Sequence, residues 1–112
     1  MITTHVLDTA AGRPGTAIAI ELERERVEDG SWQRVGAGTT DDDGRLRTLT
    51  PAGPVAAGTY RLRFHTGAYL VVYHQAGFFP VVEIQFTVVD GTQHYHVPLL
   101  LSPFGYSTYR GS

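Results

Sequence analysis

The sequence predicts an all-β antiparallel sandwich of about eight short strands, with a single short helix. Three observations carry that class. Short stretches alternate apolar and polar residues with a period of two, the spacing at which side chains leave opposite faces of a strand. Asp-Gly pairs at 29–30, 43–44 and 90–91 punctuate those stretches as turns. Only one segment, 67–76, offers a helical alternative, beginning at Gly67 and ending near Gly77. A chain of 112 residues is the size of one domain, and 1–112 is read as a single domain.

The elements follow in order. Residues 3–9 form the first strand. Residues 16–26 set Ile18, Ile20 and Leu22 against Ala19, Glu21 and Glu23. The Asp29-Gly30 turn leads into 31–39, and Asp43-Gly44 leads into 45–49. Tyr60, Leu62 and Phe64 alternate with Arg61, Arg63 and His65 over 59–65, and Tyr69, Leu70 and Tyr73 of the helix can cover a sheet edge. Val82, Ile84, Phe86 and Val88 face away from Glu83, Gln85 and Thr87. Asp90-Gly91, a favoured pair for a type I′ hairpin, joins this strand to 93–101. Pro103 and Gly105 break the run before a last strand over 106–110.

Composition removes several functions. Nine arginines and no lysine stand against eleven acids, a net charge of −2. The arginines are dispersed among acids, so nucleic acid has no basic footprint to bind. No apolar run approaches the roughly 20 residues of a membrane span. Cysteine is absent, which removes disulfides, thiolate catalysis and cysteine-ligated zinc. The start Met-Ile-Thr-Thr-His has neither a basic nor an apolar leader pattern, and a cytoplasmic protein is expected.

The positions that break the sandwich pattern are polar. His5 shares a strand face with Thr3 and Leu7. His94 and His96 share the face opposite Tyr95, Val97, Leu99 and Leu101, which reads as core, so the histidine face also carries Leu100. An outward face that mixes imidazole and leucine suits a subunit interface enclosing a polar cavity. His65 and His74 read as ordinary structural histidines, and Arg45 and Arg47 as surface cations. The His94-x-His96 pair lacks a visible third ligand, and Asp41-Asp42-Asp43-Gly44 lacks the later acid of a calcium loop, so no metal is assigned. The aromatic-rich end (Phe104, Tyr106, Tyr109), which also carries Arg110, implies an anchored terminus that fixes Ser112.

Both ends resemble one family. At the start, Thr4-His5-Val6-Leu7-Asp8-Thr9 with Gly12-Arg13-Pro14 is similar to the opening signature of the transthyretin-like 5-hydroxyisourate hydrolases. At the end, the run from His94-Tyr95-His96 through Ser102-Pro103 to Tyr109-Arg110-Gly111-Ser112 is similar to their closing signature. Asp43-Gly44-Arg45 and Phe78-Phe79-Pro80 agree with the family in the middle. The resemblance implies a transthyretin-like sandwich of two four-stranded sheets. It implies a homotetramer, a dimer of dimers, with sites at the dimer–dimer interface. The implied reaction is hydrolysis of 5-hydroxyisourate to 2-oxo-4-hydroxy-4-carboxy-5-ureidoimidazoline, without metal or organic cofactor. Carried over residue by residue, the catalytic set falls on His5, Arg45, His96 and Ser112, with substrate bound by His5, Arg45, Tyr109 and Arg110. A histidine titrating near neutrality suits a general base, and a guanidinium suits a developing oxyanion. The alternative is a non-catalytic carrier of a small ligand on the same fold.

Overall fold

Period-two alternation sends every second side chain of each strand inward, and the inward sets pack as one core. The computed structural model describes all 112 residues. In chain order the elements are β1 (Ile2–Asp8), β2 (Arg13–Pro14), β3 (Ala19–Glu25), β4 (Trp32–Thr39), β5 (Arg45–Leu46), β6 (Gly58–Phe64), α1 (Thr66–His74), β7 (Val82–Val88), β8 (Tyr95–Ser102) and β9 (Gly105–Thr108). One sheet has the order β4-β3-β6-β7, and the other β2-β1-β8-β9, with β5 also paired to β1. Ile20, Leu22, Leu62, Phe64 and Ile84 from the first sheet meet Ile2, Val6, Tyr95, Leu99 and Leu101 from the second.

The two sheets and the one short helix are as the sequence predicts, but the second sheet differs in detail. It holds five strands, not four, because β8 lies along all of β1 on one side and β2 and β5 share the other. It is also mixed: β1 and β8 run parallel. Alternation reports which face a residue occupies and is silent about the direction of the neighbouring strand.

Asp90-Gly91 is not a hairpin. β7 and β8 belong to different sheets, so the turn carries the chain across the sandwich. Asp90 Oδ1 accepts the Thr92 N–H and hydroxyl, at 3.0 and 2.6 Å, and organises the turn locally. Asp43-Gly44 also crosses between sheets, whereas Asp29-Gly30 does close the β3–β4 hairpin. The last strand ends at Thr108, two residues short of the expected boundary, and the chain then lies against β8 through a bridge between Gly111 and His96.

The helix is tied to the far end of β1 by one buried carboxylate. Asp8 is 1% exposed and accepts hydrogen bonds from the Tyr69 hydroxyl (2.6 Å), His74 Nε2 (2.7 Å) and the Ala11 N–H (2.9 Å). Burial pushes this carboxyl up, but the bonds from Tyr69, His74 and Ala11 outweigh it and hold Asp8 below its ordinary 3.8. Burial and the same Asp8 contact push the Tyr69 phenol up to about 12. A depressed carboxylate adds stability that is complete above its unfolded pKa and is lost as pH falls through the folded value. Asp8→Asn is therefore expected to cost about 1–3 kcal/mol at pH 7, since the amide turns a donor toward groups that also donate. Urea melts should show this difference shrinking below pH 3.8; a constant difference between pH 7 and 3 would refute the role of the charge.

Candidate functional site

The outward side of β1 carries Thr3 and His5, while Ile2, Thr4, Val6 and Asp8 point into the core. The register across β1 sets what lies beside them. His5 stands opposite Arg45 of β5, and Thr3 is level with His96 of β8. Two glycines make this lateral packing possible. Gly44 has φ +75°, and a Cβ there would lie 2.4 Å from the Val6 carbonyl oxygen, which is how the turn brings β5 against β1. At Gly111 a Cβ would lie 2.7 Å from Cδ2 of His96, so only a bare backbone can rest on that ring. The Gly111 N–H donates to the His96 carbonyl at 2.7 Å and brings Ser112 alongside.

The result is a polar cavity of about 180 Å³ lined by Met1, Thr3, Thr4, Arg45, Arg47, His94, His96 and Ser112. His5 flanks it, its ring stacked toward His96 with centroids 6.5 Å apart. The Thr3 hydroxyl bonds His94 Nε2 and His96 Nδ1, each at 2.8 Å. Asp41 accepts the Arg45 and Asp43 N–H groups, both at 2.9 Å, and so fixes the backbone that presents Arg45. No Asp or Glu lines the cavity. Nowhere does the chain gather three or more His, Asp or Glu side chains in an arrangement that could hold a metal ion.

Both site histidines are held below 6.5. For His5 the cause is burial, then the Arg45 charge, partly opposed by a hydrogen bond to the Asp43 backbone and by the Asp41 and Asp43 charges. For His96 it is burial, then Arg45, His5, His94 and Arg47. At neutral pH the two imidazoles are therefore uncharged, each with a nitrogen lone pair able to accept a proton, beside guanidinium groups suited to an anionic oxygen.

Of the residues singled out by sequence, His5, Arg45, His96 and Ser112 are brought together here. Tyr109 and Arg110 are not. Within one chain they line another cavity, with Ile84, Phe86 and Tyr95, on the inter-sheet side of the tail. The Arg110 guanidinium lies 4.4 Å from the centre of the Tyr95 ring and donates to Gln93 at 2.8 Å. Their place in the site was an implication of the family resemblance; within one chain the tail leaves β9 after Thr108 and carries both side chains to the other cavity. Sequence reasoning gave Thr3 no role, left His94 as a neighbour of His96 and read Arg47 as a surface cation. The signal was the spacing of two, which sets Thr3 beside His5, His94 beside His96 and Arg47 beside Arg45 on shared faces.

Fold and site together define the class: the chain belongs to the HIUase/Transthyretin family, whose model matches residues 2–111. Among its relatives, the 5-hydroxyisourate hydrolase of Salmonella typhimurium is 41% identical over 112 residues, covering 100% of this chain and 81% of that protein. The solved structure of Klebsiella pneumoniae 5-hydroxyisourate hydrolase superposes with a TM-score of 0.84 at 32% identity, over 99% of this chain and 97% of that one. Sea bream transthyretin in complex with thyroxine superposes with a TM-score of 0.90, also at 32% identity, over 98% and 93% of the two chains.

Because Arg45 depresses both histidines, Arg45→Gln is expected to raise the His5 and His96 titration midpoints toward 6.5 in ¹H NMR titrations. Midpoints that stay in place would show that its charge does not face the rings.

Proposed function

We propose that this chain is a 5-hydroxyisourate hydrolase, acting as a single domain over 1–112, and that the cavity between β5, β1, β8 and the C-terminal residues is its active site. The observation that carries this reading is the convergence of two neutral imidazoles on two arginines in a pocket without carboxylate side chains. Backbone likeness does not separate hydrolase from carrier, since a hydrolase and a transthyretin both superpose closely. A carrier has no use for a base beside an oxyanion partner.

In this reading His96 takes a proton from water as it adds to a ring carbonyl, and His5 orients the water or the ring. General acid–base catalysis of this kind contributes typically about 10²–10⁴-fold. Arg45 stabilises the oxygen that gains charge in the tetrahedral intermediate. Ser112, at the cavity wall, holds the substrate or the histidine in place. One C–N bond of the ring then breaks: the nitrogen departs with the proton held by His96, and the carbonyl carbon becomes a carboxylic acid that loses its proton to solvent. No metal or organic cofactor takes part.

The same proposal includes a homotetramer, a dimer of dimers with its sites at the dimer–dimer interface, and a cytoplasmic location. Support comes from the large apolar side chains left in solvent near the tail, with Phe78 65%, Phe104 72% and Tyr106 45% exposed. Tyr109 and Arg110 would then bind substrate from a neighbouring copy. Sedimentation should give four times the 12.2 kDa chain mass; a monomer at micromolar concentration would remove the interface sites.

The direct test generates 5-hydroxyisourate with urate oxidase and follows its spectroscopic decay. Decay no faster than the spontaneous rate would sink the hydrolase reading. His96→Ala and removal of Ser112 should each slow turnover by at least about 10²-fold, the lower end for a lost acid–base group, with the fold intact by circular dichroism. The acid limb of kcat/KM should have its midpoint below 6.5, because the base must be neutral to act.

A further inference from the structure

The Thr3 hydroxyl has one hydrogen and stands between two imidazole nitrogens, His94 Nε2 and His96 Nδ1, at 2.8 Å from each. It can donate to only one of them. Thr3 is 3% exposed, so solvent does not stand in for either ring. His96 is half-buried, whereas His94, on the far side of the hydroxyl, is exposed. With Nδ1 engaged by Thr3, Nε2 is the His96 nitrogen left for the cavity.

The surroundings make the fate of a proton on His96 a physical problem. The titratable and charged groups around it are Arg45 and Arg47 beyond β1, His5 at 6.5 Å and His94 at 6.4 Å between ring centres, and Ser112 with its terminal carboxylate on the cavity wall. No carboxylate side chain stands behind the ring, as the aspartate does in a serine-protease triad. An imidazolium there has two guanidinium groups in front and, behind Nδ1, a hydroxyl in place of a carboxylate side chain.

We propose that Thr3 and His94 form a proton path that connects the inner nitrogen of His96 to solvent, a refinement that rests on the hydrolase reading of this cavity. In the resting state His96 carries its hydrogen on Nδ1 and donates it to Thr3 Oγ1, and Thr3 donates its own to His94 Nε2. When His96 Nε2 takes a proton from the attacking water, the Nδ1 hydrogen passes to Thr3, and the hydroxyl hydrogen passes to His94 Nε2. One N–H bond forms at His96 Nε2 and one breaks at its Nδ1. One O–H bond forms and one breaks at Thr3, and one N–H bond forms at His94. The positive charge appears on the exposed ring, which releases the proton of its other nitrogen to solvent. His96 is then neutral with its hydrogen facing the substrate, ready for the departing ring nitrogen. As that proton leaves, the sequence runs backward: Thr3 returns a hydrogen to His96 Nδ1, His94 returns one to Thr3, and His94 regains one from solvent. Thr3 and His94 are positioning residues, since neither needs to touch the substrate.

The test uses the full chain and the variants Thr3→Val, Thr3→Ser, His94→Phe and the Thr3→Val/His94→Phe double. Valine keeps the shape of threonine without the hydroxyl. Thr3→Val and His94→Phe should each lower kcat by about 10- to 10²-fold with KM within about twofold, a fraction of the acid–base contribution. The double variant should be no slower than the worse single one, because both cut the same path. Thr3→Ser should recover to within about threefold of the wild type. Long-range ¹H–¹⁵N spectra should show His96 protonated at Nδ1 in the wild type and in Thr3→Ser, with that preference lost in Thr3→Val and His94→Phe. Wild-type kcat in folded Thr3→Val, or a His96 ring pattern unaffected by either His94→Phe or Thr3→Val, would overturn the path. If Thr3→Val does not fold, His94→Phe decides the matter by the same two readouts. If the wild type leaves 5-hydroxyisourate untouched, the hydrolase reading falls, while the nitrogen spectra still decide whether the three groups share hydrogens in this way.

Discussion

Strand β1 is used on both faces at once, and the rest of the structure depends on that alternation. Ile2, Thr4, Val6 and Asp8 enter the core, where Thr4 donates to the Val97 carbonyl at 2.6 Å and Asp8 receives the helix. Thr3 and His5, on the other face, build the polar cavity. A shift of register by one residue would place two polar site groups in an apolar interior and the core residues in the cavity. The site therefore inherits its geometry from core packing, and the same burial that fixes the strand fixes the spacing of its imidazoles.

What distinguishes this cavity from a generic pocket on the same scaffold is its electrostatics. The opposite sheet shows the contrast. There arginine meets glutamate in neighbouring strands: Arg61 with Glu23 at 2.8 Å and Arg63 with Glu83 at 3.0 Å. Such cross-strand pairs neutralise a solvated face and contribute modestly to stability. In the cavity Arg45 and Arg47 have no acid among the lining side chains. Unpaired cations next to neutral bases favour an anionic or electron-rich guest, and they do so without consuming the core that a chain of this size needs.

Much of this was legible in the amino-acid order, for reasons that differ by element. The inward residues of β3, β6, β7 and β8 follow from alternation alone, and so does the shared face of His94 and His96. The lateral neighbours do not follow, because Thr3 and His96 are 93 residues apart and periodicity holds no information across such a gap. The Asp90-Gly91 pair suggested a hairpin because local turn chemistry is the same whether the next strand returns to its partner or crosses to the other sheet. Gly91 in fact sits where a Cβ would fall 1.7 Å from the Val55 carbonyl oxygen, a requirement of close approach and not of turn type. Arg110 escaped for a related reason: its stacking on Tyr95 depends on the tail leaving the sheet after Thr108.

The parallel pairing of β1 with β8 has a consequence for synthesis. Ile2 has its partner at Tyr95, so nearly the whole polypeptide must emerge before the first strand gains its long neighbour. The antiparallel set β4-β3-β6-β7 closes much shorter loops and can assemble on the ribosome while β1 waits with one edge bare. Long-range closure of this kind slows folding relative to local pairing. Translation would thus deliver a half-built sandwich first, and the reactive pocket is completed only when β8 has joined β1.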